Sequence, residues 1–247
     1  MRVALVSDIH GNEIALNLVL NEIDREAVDL IVCLGDVATL GPRPRECVGL
    51  LRSRGVRSVM GNHDDFLLRP DLIVEYSAPP VVASAVDWCR SELKPEDFEY
   101  LRSFEPEIEI QMGSVGSVRL FHGSPRSHME MILATTPPGA LDEMLAGRKG
   151  AVLAGGHTHV QMLRQHRGQL VLNVGAVGMP FLEDFLAASQ RNEPPRIMSH
   201  AEYTILSLDR GRIQVDLRRV EMVHGKSKAA VLESQMPMRE MFASQYL

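Results

Sequence analysis

Short apolar runs alternate with amphipathic segments along the first quarter of the chain. Residues 3–7, 30–34 and 57–60 are apolar or β-rich, and each run stops at a polar or glycine-bearing group. Between the first two runs, Leu16 and Leu20 recur at helical spacing, and a second amphipathic segment precedes the third run. The pattern predicts a βαβαβ unit with parallel strands and right-handed crossovers.

The rest of the chain predicts helices over residues 84–93 and 95–104, followed by strands joined mostly by turns. Those strands are predicted over residues 107–111, 117–121, 151–154, 161–166, 170–174, 202–208 and 212–220. Turn-linked strands favour antiparallel pairing, so we expect the second half to be largely antiparallel. The fold class predicted from these elements is α/β, with two packed mixed β-sheets flanked by helices.

Length and composition narrow the picture to one domain. The chain has 247 residues, of which 45% are hydrophobic, enough for a single sizeable core over residues 1–247. We expect substrate-side insertions near residues 64–104 and 178–200, the second of which is rich in proline and charge.

Charge and cysteine content limit the partners and the compartment. The net charge of -6, without a basic run, argues against sequence-independent binding to nucleic acid and against binding to an anionic membrane surface. No apolar segment approaches the length of a membrane span or of a signal peptide, so a cytoplasmic protein is expected. Cys33, Cys47 and Cys89 have neither paired nor zinc-type spacing and are expected to fill the core as reduced thiols.

Polar side chains with metal-binding chemistry collect where the predicted strands end. Ligands bind at the carboxyl ends of parallel strands, and two ligands can come from one extended segment because alternate residues point the same way. Imidazoles combined with carboxylates suit Mn, Fe, Zn, Co or Ni rather than Mg or Ca. The residues concerned are Asp8, His10, Asp36, Asn62, His63, Asp64, His122, His157 and His159.

Five motifs in this order resemble those of the calcineurin-like metallophosphoesterase superfamily, and of its small bacterial and archaeal phosphodiesterase branch in particular. Each motif alone is weak evidence, but five in sequence are specific. They are Asp8-x-His10, Gly35-Asp36, Gly61-Asn62-His63-Asp64, Phe121-His122-Gly123 and Gly155-Gly156-His157-Thr158-His159. The resemblance covers about the first two thirds of the chain and implies a four-layer αββα fold.

The resemblance also implies a dinuclear metal centre. It assigns Asp8, His10 and His159 to one divalent ion and Asn62, His122 and His157 to the other, with Asp36 bridging both. We expect two transition-metal ions, with manganese ahead of Fe, Zn, Co and Ni. Two divalent ions less two carboxylates and a shared hydroxide leave a formal charge of about +1, which attracts an anionic phosphodiester.

The same resemblance gives His63 and Asp64 a catalytic role. His63 would lie over the substrate to stabilise developing charge or protonate the leaving oxygen, with Asp64 orienting its ring. Asn62 and His63 would both contact the substrate. For Asn62 a purely structural role is the alternative, because asparagine is common in Gly-Asn turns. His128 lies outside the motifs and is expected to be structural, although its loop begins near the metals.

One departure from the family pattern bears on the substrate. The protein phosphatase branch carries an arginine within Gly-Asp-x-x-Asp-Arg-Gly, and this chain has Leu40 at that position. A phosphomonoester carries about one more negative charge than a diester near pH 7, and its hydrolases often add a guanidinium clamp. Phosphodiester or nucleotide hydrolysis is therefore the leading expectation, with Arg43, Arg69 and Arg126 as the arginines near the motif loops.

Three alternatives remain open from the sequence. The first two are phosphomonoester or phosphoprotein hydrolysis and the cleavage of dinucleoside polyphosphates. The third is a non-catalytic, protein-binding scaffold of the same fold, which would require gaps in the ligand set. The partner expected is a small phosphoester or nucleotide. The C-terminal segment 225–247 could pack on its own domain or on a second copy, so an oligomer is compatible with the sequence.

Overall fold

The computed structural model describes residues 1–76, 80–183, 188, 194–222 and 224–247, which form two five-stranded sheets in the orders β10-β9-β1-β2-β3 and β4-β5-β6-β8-β7. The strands are β1 Arg2–Val6, β2 Leu30–Cys33, β3 Arg57–Ser58, β4 Ile108–Gln111, β5 Ser117–Leu120, β6 Val152–Gly155, β7 Met162–His166, β8 Gln169–Asn173, β9 His200–Asp209 and β10 Arg212–Glu221. The helices are α1 Glu13–Asp24, α2 Pro44–Ser53, α3 Asn62–Leu68, α4 Leu72–Glu75, α5 Pro80–Glu92, α6 Pro95–Arg102, α7 Pro138–Leu145, α8 His224–Glu233 and α9 Arg239–Ser244.

The βαβαβ prediction for the first quarter is confirmed. β1 pairs in parallel with β2, and β2 pairs in parallel with β3. α1 begins at Glu13 because Asn12 caps it, its side chain accepting the Ala15 N–H at 3.1 Å. α2 begins at Pro44, whose fixed φ suits the first turn of a helix. The three strands therefore end at one edge of the sheet.

The expectation of a largely antiparallel second half is wrong for the centre of the second sheet. β6 pairs in parallel with both of its neighbours, β5 and β8. Residues 121–151, which include α7, separate β5 from β6 and are long enough to cross over to a parallel position. The hairpins β4–β5, β7–β8 and β9–β10 are antiparallel as expected. Parallel pairing brings the ends of β5 and β6 to the same edge.

The two sheets pack face to face and helices cover their outer faces. Val3 and Leu5 of β1 meet Leu120 and Val152 of the second sheet in one buried cluster. Leu16 of α1 and its neighbours cover the outer face of the first sheet, and α7 packs on the outer face of the second. The predicted fold class, two packed mixed sheets flanked by helices in four layers, is confirmed.

The C-terminal segment packs on its own chain. Val231, Met236, Phe242 and Tyr246 are buried in a cluster with residues of α5 and of the segment after β8. The three cysteines are buried free thiols. Within the described ranges, no helix combines the length and the apolar character that crossing a membrane requires. The expectation for residues 178–200 falls partly on 184–187 and 189–193, which lie outside the described residues.

Candidate metal centre

All the loops that carry predicted ligands meet at one end of the paired sheets. Asp8 follows β1, Asp36 follows β2 and Asn62 follows β3, while His122 and His157 follow β5 and β6. Backbone hydrogen bonds tie neighbouring loops together: Asp8 N–H donates to the Gly35 carbonyl at 3.0 Å, and His10 N–H donates to the Asp36 carbonyl at 2.9 Å. The seven predicted ligands are thereby brought within one small region.

Asp8, His10 and His159 form the first group of converging ligand atoms. His10 Nε2 lies 3.1 Å from His159 Nε2, and His159 Nε2 lies 3.4 Å from Asp8 Oδ1. All three side chains are buried. Asp36 Oδ2 lies 3.6 Å from His10 Nε2, so the Asp36 carboxylate adjoins this group.

Asp36, His122 and His157 form the second group, and Asn62 joins it. His122 Nε2 lies 3.4 Å from Asp36 Oδ2 and 3.1 Å from Asn62 Oδ1. The same oxygen of Asp36 therefore stands within 3.6 Å of an imidazole nitrogen in each group. The structure brings together all seven residues that the sequence predicts as ligands.

Five of these seven residues adopt the left-handed backbone conformation. The φ angles are 52° for Asp8, 47° for His10, 59° for Asp36, 68° for His157 and 61° for His159. Non-glycine residues rarely adopt this region, although aspartate and histidine do so more readily than most. The sequence-based explanation that alternate residues of an extended segment point the same way is therefore wrong for both ligand pairs, Asp8 with His10 and His157 with His159. Their side chains converge because the backbone adopts the left-handed conformation at each of these positions.

Backbone carbonyls fix which imidazole nitrogens face the centre. His122 Nδ1–H donates to the Leu34 carbonyl at 2.6 Å, and His159 Nδ1–H donates to the Met179 carbonyl at 2.7 Å. In a neutral ring this leaves the Nε2 lone pair pointing inwards. The His122 lone pair then faces the oxygens of Asn62 and Asp36, which are acceptors too. Acceptors that face one another at this separation repel unless a proton or a metal cation lies between them.

Orphaned buried atoms support the same fit. Asp8 Oδ1 and His157 Nε2 are buried and have no hydrogen-bond partner among the described residues. A buried polar atom without a partner costs about 1–3 kcal/mol, and coordination to a metal ion would satisfy both atoms. Carboxylate, amide and neutral imidazole donors together match the preferences of first-row transition metals. The residues present therefore fit two divalent ions.

The electrostatics of the centre favour added positive charge. Burial raises the pKa of the Asp36 carboxyl, but nearby imidazoles, His122 first, outweigh burial and hold this pKa well below its usual range. Burial lowers the pKa of His122, yet Asp36 and Asp8 outweigh it and raise this pKa to about 10. A centre that draws a proton so strongly onto His122 also attracts a metal cation to the same lone pair.

Two other imidazoles remain neutral at physiological pH. Burial lowers the pKa of His10 to about 3, and burial with the nearby His122 lowers that of His157 to about 3. Neutral imidazole is the form that binds metal. For Asp8, burial alone would raise the pKa, but His159 outweighs it and the pKa falls to about 2. Asp8 is therefore ionised and available as an anionic ligand.

The His63 side chain lies next to the first group, without the support from Asp64 that the sequence analysis assigned. The ring centroid of His63 is 5.1 Å from that of His10, and its Nδ1 is buried without a hydrogen-bond partner in the described part of the chain. The expectation that Asp64 orients this ring is not met. The Asp64 carboxylate instead accepts backbone N–H groups of Asp36, Val37 and Gly61, at 2.7, 2.9 and 3.1 Å. Asp64 therefore fixes the backbone that carries Asp36.

Two glycines allow the ligand loops to approach this closely. A Cβ atom at Gly61 would overlap the Asp36 carboxylate, and a Cβ atom at Gly156 would overlap the side chain of Ser7 and crowd that of Asp8. In both cases the obstructing atoms belong to the centre or to its immediate support. Only glycine leaves space for the carboxylates at these two positions.

Asn173 supports the centre and was not identified as a functional residue from the sequence. Its amide nitrogen donates to the Gly156 carbonyl and, at 3.0 Å, to Thr158 Oγ1. Its Oδ1 accepts the Gly175 N–H at 2.9 Å. These bonds hold the loop that carries His157 and His159. The sequence signal for Asn173 is the Asn173-Val174-Gly175-Ala176 stretch at the end of β8, a composition that is typical of an ordinary turn.

Replacing Asn173 by alanine is expected to weaken metal binding about 10- to 100-fold, the usual effect of losing a group that orients metal ligands. The measurement is a metal titration that follows bound Mn by elemental analysis or calorimetry. Asn21→Ala, at an exposed position of α1, is the matched control and should bind as the unaltered chain does. Equal metal affinity in both variants would show that Asn173 does not support the ligand loop.

Comparisons with known proteins agree with this geometry. The family model described as the calcineurin-like phosphoesterase superfamily domain matches residues 1–190. An uncharacterized protein from Methanocaldococcus jannaschii is 29% identical over 236 residues, covering 95% of this chain and 93% of its own. A metallophosphoesterase structure from Sphaerobacter thermophilus aligns with a TM-score of 0.75 and 28% identity, covering 99% of this chain and 97% of its own.

A second solved structure supports the fold alone. A hypothetical protein from Pyrococcus horikoshii aligns with a TM-score of 0.80 at 19% identity, covering 97% of this chain and 96% of its own. The family match extends over more than half of the chain and includes every motif noted in the sequence. The chain therefore belongs to the calcineurin-like phosphoesterase superfamily, as the resemblance of its motifs predicted.

Proposed function

We propose that the protein hydrolyses phosphodiesters or nucleotides with the help of two divalent transition-metal ions, manganese first among them. The observation that carries the proposal is the position of Asp36 Oδ2 between two complete groups of buried ligand atoms. Family membership supports phosphoester hydrolysis in general.

The proposed ligand assignment follows the two groups. Asp8, His10 and His159 would hold one ion, Asn62, His122 and His157 the other, and Asp36 both. When bound, the ions supply positive charge for the phosphoryl oxygens and activate water for attack on phosphorus. The chain itself contributes rigidity to the site, because four of the ligand side chains form hydrogen bonds to backbone groups. These are Asp8, Asp36, His122 and His159.

His63 is proposed to act on the substrate rather than on a metal. Its backbone N–H donates to Asp36 Oδ1 at 2.9 Å, which anchors the first turn of α3, while its ring extends beside His10. Burial lowers the pKa of His63, so the ring is neutral near pH 7 and can donate one N–H to a substrate oxygen. We propose that His63 and Asn62 contact the phosphoryl group, and that Asp64 contributes indirectly by fixing the backbone at Asp36.

The arginines near the ligand loops support a diester over a monoester. Arg43 pairs with Glu13 at 2.6 Å. Arg69 and Arg126 likewise pair with Asp65 and Glu130. Each of the three guanidinium groups is therefore neutralised by a carboxylate, and none of them offers the free clamp that a dianionic monoester favours. Phosphomonoesters and dinucleoside polyphosphates are the alternative substrates that an assay must include.

The non-catalytic scaffold alternative is opposed by the ligand set. It requires gaps among the metal ligands or the loss of the acid residue, whereas all seven ligands converge and His63 lies beside them. A cytoplasmic location also belongs to the proposal, since three buried free thiols suit a reducing compartment.

A hydrolysis screen tests the proposal. The purified chain, loaded with Mn, is assayed on a chromogenic diester, mononucleotides, cyclic nucleotides, dinucleoside polyphosphates and phosphomonoesters. We expect about two bound ions per chain, diester or nucleotide hydrolysis, and loss of activity after chelation that added Mn restores. A folded protein with neither bound metal nor turnover on any of these compounds would overturn the proposal.

A further inference from the structure

A cleft of about 390 Å³ opens beside the second ligand group. Its walls come from the segment that contains α3 and α4 on one side and from residues 124–128 on the other, and His122 lines it as well. Small-molecule sites have volumes of about 300–1,000 Å³. A group attached to a phosphorus atom held near His122 can therefore extend into this space.

The charges that line the cleft are already balanced. Arg69 Nε lies 2.8 Å from Asp65 Oδ1, and Arg126 Nε lies 3.1 Å from Glu130 Oε1. His128 Nε2 also lies 3.1 Å from Asp65 Oδ2. A second phosphate in this cleft would have to compete with these carboxylates for the guanidinium groups. The cleft therefore suits an uncharged part of a substrate better than a polyphosphate chain.

An aromatic side chain faces this space. Tyr76 is 40% exposed, and its ring centroid lies 6.4 Å from that of Phe66 and 6.1 Å from that of His128. Phe104 and Pro125 add apolar surface to the lining. A partly exposed ring supported from two sides is suited to stacking against a flat heterocycle, and such stacking tolerates any nucleobase.

We propose that this cleft binds the nucleoside portion of the substrate, with the base stacked on Tyr76 and its polar edges facing the guanidinium and carboxylate groups of the lining. The proposal rests on the proposed phosphoesterase function and narrows its substrate class to nucleoside-bearing phosphoesters. It assigns a recognition role to Asp65, Arg69 and Tyr76, which lie within one of the predicted substrate-side insertions, and to the loop that carries Arg126 and His128. It also disfavours dinucleoside polyphosphates.

The test compares Tyr76→Ala with two matched variants. Tyr76→Phe keeps the ring, and Val74→Ala changes an 82% exposed position on α4, the short helix that ends just before Tyr76. The first measurement is the affinity of the full chain for adenosine and uridine, with ribose and inorganic phosphate as reference probes. The second is kcat/KM for the monomethyl ester of adenosine 5′-phosphate, which is a diester, relative to the monomethyl ester of ribose 5-phosphate, which has a hydroxyl group in place of the base.

We expect adenosine to bind more tightly than ribose, and Tyr76→Ala to weaken adenosine binding about tenfold, in line with the loss of one stacking contact. The kcat/KM ratio should fall by about the same factor, while Tyr76→Phe and Val74→Ala leave both quantities unchanged. Circular dichroism establishes that each variant is folded.

Two results would overturn the nucleoside proposal: adenosine binding no tighter than ribose, or a Tyr76→Ala variant that keeps the affinity for adenosine. The two proposals fail separately. Nucleoside binding without hydrolysis of any phosphoester would contradict the proposed function and leave the cleft assignment supported. Hydrolysis that ignores the presence of a base would overturn the cleft assignment alone.

Discussion

Asp36→Asn is expected to release metal from both ligand groups and to reduce turnover on the order of a thousandfold. One oxygen of Asp36 stands 3.6 Å from His10 Nε2 and 3.4 Å from His122 Nε2, so one substitution removes negative charge from both groups. The loss of several kcal/mol of transition-state stabilisation corresponds to a rate change of about this size. Elemental analysis and steady-state kinetics measure the two effects.

The fold should survive this substitution. Asparagine tolerates the left-handed backbone at position 36 and can still accept the His63 N–H. Asp87→Asn, at an exposed position of α5, is the matched control and should retain both ions and full activity. If Asp36→Asn stays folded and keeps two ions per chain, Asp36 is not the shared ligand.

His63→Ala is expected to lower kcat by about a hundredfold to ten-thousandfold, the usual contribution of a side chain that donates a proton or hydrogen bond to the reacting group. The metal content should not change, because the His63 side chain belongs to neither group of converging ligand atoms. A loss of both metal and turnover would mean that His63 is a ligand. Turnover and bound metal are therefore measured on the same preparation.

His166→Ala is the comparison for this variant. His166 lies at the end of β7 remote from the ligand loop and pairs with Asp142 at 2.8 Å. Its loss should leave kcat close to that of the unaltered chain. If His63→Ala and His166→Ala have the same kcat, the proposed contact between His63 and the substrate is wrong.

Much of this architecture could be predicted from the sequence because it is encoded locally. The apolar runs before Asp8 and Asp36 predict buried strands, and the intervening amphipathic segments predict crossover helices. Parallel strands end at one edge of a sheet, so the motifs after them had to converge. The parallel pairing of β6 was missed because the path of the chain between residues 121 and 151 is not determined by local pattern.

Features that depend on contacts between distant parts of the chain could not be predicted. Two of the three N–H groups that the Asp64 carboxylate accepts belong to Asp36 and Val37, nearly 30 positions away, so its role as a backbone support is a tertiary property. Asn173, at the end of β8, donates a hydrogen bond to the carbonyl of Gly156, which follows the neighbouring strand β6. The pairing of His128 with Asp65 joins segments 63 positions apart, so the cleft between these segments could not be predicted from the sequence.

The left-handed backbone at five ligand positions has a consequence for the life of the protein in the cell. Each such residue costs about 1–2 kcal/mol relative to ordinary helical backbone. A ligand that binds only the folded state stabilises it by mass action. The fraction of folded protein should therefore rise and fall with the supply of metal. When metal is scarce, we expect faster degradation of the chain as well as loss of its hydrolytic activity.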